Sequence, residues 1–573
     1  MKNRNLKLLA LVAVAATTFM ACNPLNKMVK RQAEVNYELT PNPVEMHGDT
    51  IAITFSGSFP AKYFNKKISA VITPVLVYGE NSESFTPLKL KGEVSEAEGT
   101  TINYEKGGNF SHAAKIPYKD GMEAAIVELR VTGSYKTKTK DLDPRKVADG
   151  TIITPKLVMS SDKAIAGADK MVKFNLENNS VDIHYLVNNS VVRSGEMTDA
   201  DIKDLKAKLK GWQENVKMEF NSLNIEAYAS PEGELSKNEN LANERATSAA
   251  KAIEGMLKSA KITLPETGFT TATGKGEDWT GFKSLMTASD IKDKELIIRV
   301  LETYQDGEKR ETEIKNLAAT YTEVAKKVLP ELRRAQCNLV MKHNNLTDDE
   351  LKTLVDTKID SLDVEQMLYA ATLYNDVAKK ESIYKSVSSI HANDWRGPNN
   401  VGFIYVSQNK LADAKAEFDK ANGLSANNPI VQNNLGVIER LNGNLDAAMD
   451  YYNKASGAGK EVAQNKGIIN IIKGDYAGAV SNYSGVNSFN AALAQLLNKN
   501  NSIGAVIDGS DDKDEALSYY LKAIAGARSG DNDMMINNLK TATSKDAALK
   551  AKAKTDAEFI KSRANADFQA AVN

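Results

Sequence analysis

Catalysis or metal binding has few residues to rest on in this chain. The five histidines, His47, His112, His184, His343 and His391, lie far apart, and none stands at metal-ligand spacing. Cys22 and Cys337 are too few and too distant for a zinc site. No Ser/His, Cys/His or paired-acid set has a recognisable spacing, so the chain is expected to be no enzyme and to use no metal or cofactor. The Gly-x-Gly of "TGKGEDWTGF", Thr273 to Phe282, lacks the Lys-Ser/Thr of a phosphate loop and reads as packing around Trp279. One stretch does gather polar groups: "IEAYASPEGELSKNENLANERA", Ile225 to Ala246. It offers the Ser230 hydroxyl, the Glu232 and Glu234 carboxylates, the Asn238 amide, Leu241 and the Arg245 guanidinium. A guanidinium can hold a carboxylate by two parallel hydrogen bonds. The internal alternatives are a helix cap at Asn238, a core Leu241, and a solvated or salt-bridged Arg245.

The elements that must position these residues fall into three regions. The 573 residues suffice for about three or four domains. With 42% apolar and 26% charged residues and a net charge of −1, nothing favours nucleic acid or an anionic membrane. Residues 33–165 read as a β-sandwich. "TIAITFSGSF" alternates Ile51, Ile53 and Phe55 with Ala52, Thr54 and Ser56, and further runs through "GTIITPKLVM" continue the pattern between turn residues. Residues 177–345 mix strands and helices, with Thr198 predicted to cap the helix of "TDADIKDLKAKLKGWQENV". Residues 361–560 are helical and repeat. Gly402, Leu411, Ala414, Phe418 and Ala421 recur 34 positions on as Gly436, Leu445, Ala448, Tyr452 and Ala455. A third copy, with Gly467, Tyr476, Ala479 and Tyr483, follows at a step of 31. At the N-terminus, Lys2, Arg4 and Lys7 precede an apolar run from Leu8 to Met20, the form of a secretory signal and too short to span a bilayer.

Three resemblances attach to these residues. "TFMAC", Thr18 to Cys22, resembles a bacterial lipoprotein cleavage box, which implies removal of residues 1–21 and diacylation of Cys22, with 22–32 as linker. A plain secretory signal is the alternative. The residues after Cys22 lack the acids often seen in surface-exported Bacteroidetes lipoproteins, so the implied site is the periplasmic face of the outer membrane. The middle region resembles the OmpA/MotB-like C-terminal domain, with Asn238, Leu241, Arg245 and Ala246 at the spacing of its helical motif. In that family an Asp after the second strand and an Arg on the helix hold the diaminopimelate of a peptidoglycan stem peptide. Here Ser230 replaces the Asp, and Glu232 or Glu234 is the available substitute. The resemblance therefore implies peptidoglycan contact through Ser230, Glu232, Asn238, Leu241 and Arg245, weakened by the loss of the acid. The helical region resembles tetratricopeptide repeats, which implies protein partners in a groove, with Tyr405, Asn409, Asn433, Asn434 and Glu439 as candidates by phase. The expected architecture is multidomain: N-terminal β-sandwich, central α/β OmpA-like domain, C-terminal all-α tetratricopeptide-like solenoid. The expected function is a non-enzymatic envelope lipoprotein that contacts peptidoglycan and binds envelope proteins. The alternative is an accessory subunit of an outer-membrane export or surface-fibre assembly machine, with wall binding lost or secondary.

Overall fold

The computed structural model describes residues 24–264 and 267–573, so the signal segment and the lipidation candidate Cys22 lie outside the described residues. The chain forms two compact units. One joins residues up to 167 with 384–573, and the other spans 168–383. The β-rich region and the repeats thus share a unit, although the α/β unit separates them in sequence. Helix Val364–Thr372, which the repeat reading placed in the array, falls in the second unit.

The β-rich region is two sheets over one core. In the first, the long strand Thr50–Phe59 pairs with Asn36–Thr40, Val44–His47 and Gly108–Pro117. In the second, Ser69–Tyr78 lies between Ile126–Tyr135 and Leu88–Gly92. Ile51, Ile53 and Phe55 are buried and meet Ile72, Leu76, Val127 and Leu129 across the core, as the period-2 alternation requires. Two expectations fail here. Residues 24–30, read as linker, form a helix, Pro24–Lys30, whose Leu25 and Met28 are buried in this core. "GTIITPKLVM", read as a strand, supplies only the short strand Thr151–Ile152 and a 3-10 turn, Thr154–Leu157; an extended segment without ladder partners follows.

The second unit carries a four-stranded sheet. Its strands are β1 (Phe174–His184), β2 (Met218–Ala229), β3 (Thr270–Glu277) and β4 (Arg334–Asn344), in spatial order β1-β4-β2-β3. β4 is antiparallel to both neighbours, and β2 and β3 are parallel. Helices α1 (Ala200–Glu214) and α2 (Leu235–Ser259) follow β1 and β2. Ile202, Leu205 and Leu209 form one buried stripe, and Ala246, Ala249, Ile253 and Leu257 form another. Both stripes share a core with Ile183, Ile225, Ala227, Cys337 and Leu339; the other sheet face carries Asp182, His184, Glu226, Tyr228 and Arg334 at one end and Phe174, Leu176 and Val340 toward the other. Asp199, not Thr198, is the N-cap residue of α1, and it makes no side-chain cap bond. Gly274 is required because α2 crosses β3 closely: a Cβ there would sit 2.4 Å from the Asn243 backbone nitrogen. The Gly-x-Gly is therefore a packing feature.

The array begins with three helix pairs: α3 (Arg396–Ser407) with α4 (Leu411–Leu424), α5 (Pro429–Leu441) with α6 (Leu445–Lys454), and α7 (Lys460–Lys473) with α8 (Tyr476–Asn482). Then come α9 (Phe489–Leu497) and further helices to Val572. The repeated glycines let an aromatic ring of the second helix lie against the first. A Cβ on Gly402, Gly436 or Gly467 would stand 2.6, 2.6 or 2.4 Å from Phe418, Tyr452 or Tyr483. Phe418, fully buried, contributes about 1.5–3 kcal/mol of apolar transfer.

Candidate functional site

The Pro-Glu-Gly corner is built at the end of β2 and the start of α2, and its polar groups are spent on one another. Asn238 is buried; its Nδ2 donates to the Ser230 and Glu232 carbonyls and to Glu277 Oε1 at 2.8 Å. Ser230 Oγ donates to Glu232 Oε1 at 2.8 Å. Arg333, at the entry to β4, donates from Nη2 to the same Glu232 oxygen at 2.7 Å and from Nε to Ser230 Oγ at 3.2 Å. The Gly233 amide donates to Glu311 Oε1, so the corner is tied to the helix Gly307–Lys315 as well.

Arg245 points inward. It is 1% exposed, and its guanidinium donates to the carbonyls of Asn189 (3.0 Å), Tyr228 (2.9 Å) and Leu186 (3.1 Å). Its carbon lies 5.1 Å from the centre of the Tyr185 ring. Burial pulls the guanidinium down to about 10, with Tyr185 opposing that shift. The guanidinium, expected to face a stem peptide, is turned to the chain's own carbonyls. Arg245 instead fastens the 186–189 loop to the end of β2, and Glu232 is held by Arg333. Leu241 is half-buried beside them. None of the five motif residues lines either of two clefts of this unit, one of about 860 Å³ beside Trp279, Lys283 and Arg310 and one beside Arg334. The second cleft, about 790 Å³, lies on the outer face of the sheet among Asp182, His184, Tyr228, Asp278, Glu331 and Arg334. There Arg334 pairs with Asp278 at 2.9 Å, and burial pushes the Asp182 carboxyl upward against the pull of Arg334.

The array holds a second constellation. Residues 159–167 run extended across its first helices and are gripped through their main chain. The Met159 amide donates to Asn490 Oδ1 and its carbonyl accepts from Asn490 Nδ2, both at 2.8 Å. Asn465 treats Lys163 the same way, at 2.8 and 3.0 Å. Asn434 does so for Ile165, at 2.8 and 2.7 Å, and Asn400 for Gly167, at 2.6 and 2.9 Å. Behind them Asn433 donates to the Lys163 carbonyl and Asn399 to that of Ile165. The amides also bond to one another, Asn434 to Asn399 at 2.9 Å and Asn465 to Asn433 at 3.0 Å. All six asparagines are at most 1% exposed. An amide side chain offers one donor side and one acceptor side, so it satisfies the N–H and C=O of one extended residue together.

Side chains of the strap are held as well: Asn490 Nδ2 donates to Ser161 Oγ at 3.1 Å, and Met159 packs against the core of the array. Arg440 forks onto both carboxylate oxygens of Asp162, with Nε at 2.7 Å from Oδ1, and donates from Nη1 to Ser160 Oγ. Burial pushes Asp162 upward even so, because desolvation outweighs the pull of Arg440. Gly167 has no room for a side chain: a Cβ would lie 2.7 Å from Arg396 Cγ and 3.1 Å from the Trp395 ring.

Of the predicted groove residues, Asn433 and Asn434 grip this strap, so they serve the chain's own segment. Tyr405, Asn409 and Glu439 do not touch it. Tyr405 lies between Lys385 and Lys410, Asn409 is exposed in the turn after α3, and Glu439 accepts from Asn444 at 2.8 Å. Asn399, Asn400, Asn465, Asn490 and Arg440 were missed. A signal existed: Asn400, Asn434 and Asn465 each stand two positions before a repeat glycine. Among the described residues, no His/Cys/Asp/Glu group fits a metal ion, and no helix is long and apolar enough to cross a membrane.

A tetratricopeptide repeat family model matches residues 431–458, the span of α5 and α6. Among solved structures, the chain is similar to a tetratricopeptide repeat protein from Parabacteroides merdae, at 13% identity over 36% of this chain and 90% of that one, with a TM-score of 0.28. It is similar to YrrB, described as a TPR protein with an unusual peptide-binding site, at 16% identity over 36% and 99%, with a TM-score of 0.22. It is also similar to pilF of Pseudomonas aeruginosa, at 14% identity over 35% and 99%, with a TM-score of 0.28. No curated protein matches the chain. The chain thus carries tetratricopeptide repeats in its C-terminal helical part, alongside an N-terminal β-rich region.

Proposed function

We propose that this chain is a non-enzymatic, protein-binding scaffold of the cell envelope, an accessory subunit of an export or surface-fibre assembly machine. The observation that carries the reading is the asparagine-lined face of the array, which holds an extended polypeptide by its backbone. Such a face is built to bind protein. The "TFMAC" box supports lipid anchorage at Cys22 in the outer membrane. The sheet order β1-β4-β2-β3, with α2 leading from β2 to β3, supports an OmpA/MotB-like origin for the second unit. The sealed Arg245 and the Glu232–Arg333 pair favour wall binding that is lost or secondary.

Two measurements test this. A photo-crosslinker at Tyr405, half-buried near the end of α3, should give discrete protein adducts in intact envelopes. Purified chain mixed with sacculi should not show pelleting that free diaminopimelate reverses. Absence of adducts, together with turnover of labelled peptidoglycan, would replace the scaffold by an enzyme. Diaminopimelate-reversible pelleting would restore the wall tether.

A further inference from the structure

We propose that residues 159–167 are a resident ligand of the array, and that the asparagine-lined groove is a peptide site entered by a partner's extended segment that displaces this strap. The proposal rests on the scaffold reading and specifies the chemistry of the partner. Recognition here is of main chain: four asparagines each read both polar groups of one residue, at 159, 163, 165 and 167. A groove of that kind accepts many sequences. Side chains are also met: Asn490 donates to Ser161 Oγ at 3.1 Å, Arg440 to Ser160 Oγ, and Met159 packs against the array core, but the strictest demands fall at two places. Arg440, 9% exposed, takes an acid at the position of Asp162. Five residues on, Arg396 and Trp395 leave room only for glycine. The partner segment is therefore extended, carries an aspartate or glutamate, and has a glycine five positions after it.

The strap can leave without breaking any secondary structure, because it has no ladder or helix of its own. Five of the six asparagines that hold it, Asn399, Asn400, Asn433, Asn434 and Asn465, are also bonded to one another, a network that does not depend on the strap. The strap is also the array's built-in competitor. Tethered in cis, it is present at an effective concentration in the millimolar range, so a partner must bind tightly or through more than one contact.

Hydrogen exchange on the full chain tests the resident-ligand idea. The amides of Met159, Lys163, Ile165 and Gly167 should exchange at least tenfold faster than interior amides of α5 and α7. Equal protection would make the strap a permanent part of the array and overturn the proposal, while leaving adducts at Tyr405 untouched. In parallel, a fluorescent peptide of residues 157–169 is titrated into wild type and Asp162→Lys. It should bind the variant at least tenfold more tightly, and a peptide with asparagine in place of the aspartate should bind roughly tenfold to a hundredfold more weakly than the parent peptide. Binding to neither chain, with Asp162→Lys folded by circular dichroism, overturns the proposal. If that variant does not fold, the exchange measurement on wild type decides.

Discussion

Asn434→Ala isolates the grip of the array on its strap. Asn434 is fully buried and sits in the middle of the amide row. Its loss leaves the Ile165 amide with no acceptor, because Asn434 Oδ1 is the partner of that donor. It also removes the donor to Asn399 Oδ1. The Ile165 carbonyl keeps Asn399 Nδ2 at 3.1 Å. Asn433 Nδ2 also loses Asn434 Oδ1 but keeps the Lys163 carbonyl. Two buried polar groups are thus left with no partner, at about 1–3 kcal/mol each, so the strap should open about 2–6 kcal/mol more easily. Lys163 lies in the strap with its amide and carbonyl both engaged, which makes tryptic cleavage after it a direct readout of opening. When reclosing outruns cleavage, the cutting rate follows the open population. Cleavage after Lys163 should then rise by roughly 30-fold or more, since each 1.4 kcal/mol is tenfold. Asn498→Ala, at an exposed asparagine, should leave the rate unchanged. A rate in Asn434→Ala equal to wild type would refute the claim that these amides hold the strap.

Two further outcomes concern the α/β unit. Arg245→Lys leaves about two of three buried carbonyls unpaired, a loss of about 2–6 kcal/mol. Cys337 reports it: burial pushes this thiol up to about 12, so it is inert at pH 8 until the sheet opens, and labelling should speed up roughly 30-fold or more. Glu350 sets a pH dependence. Its pairing with Lys217, and then the capping bonds at Thr347, hold the carboxyl down to about 2. A depressed carboxyl adds stability above its unfolded value near 4.5 and loses it as pH falls through the folded value. Urea midpoints of the second unit should therefore drop between pH 4.5 and 2, and Glu350→Gln should flatten that part of the profile.

What the sequence reveals depends on whether a residue's partner is periodic. The alternation of Ile51, Ile53 and Phe55 announces a strand because its partner is a sheet face with the same period. Gly402 and Phe418 announce a repeat because the ring that needs the gap recurs at the same step. Helix Pro24–Lys30 is too short to show a period, so Leu25 and Met28 look like linker residues. Arg245 stands at the family spacing, but its direction is fixed by carbonyls in the 186–189 loop and at Tyr228, and carbonyls leave no mark on a sequence. The asparagine row is visible at fixed offsets from the glycines. Its ligand is a small, polar, aperiodic segment 233 to 331 positions upstream of the asparagines that read it, so the row looks like a solvated surface.

The separation between strap and array leads to the last prediction. Gly167 ends against Arg396 and Trp395, within the first unit, and the chain re-enters that unit at Tyr384, a few turns before Arg396. The α/β unit, residues 168–383, is thus an insertion whose two ends belong to one folded body. Bringing strap and array together across it carries a loop-closure cost that grows only logarithmically with length, so the insertion itself weakens the grip little. Replacing 168–383 by about ten Gly/Ser residues, with a root-mean-square reach of about 17 Å, should leave the first unit folded. In that shortened chain, Lys163 should resist trypsin as it does in the full chain. If the strap were instead held by the second unit, the shortened chain would be cut there at the rate of an unfolded peptide, because the six asparagines alone would not retain it.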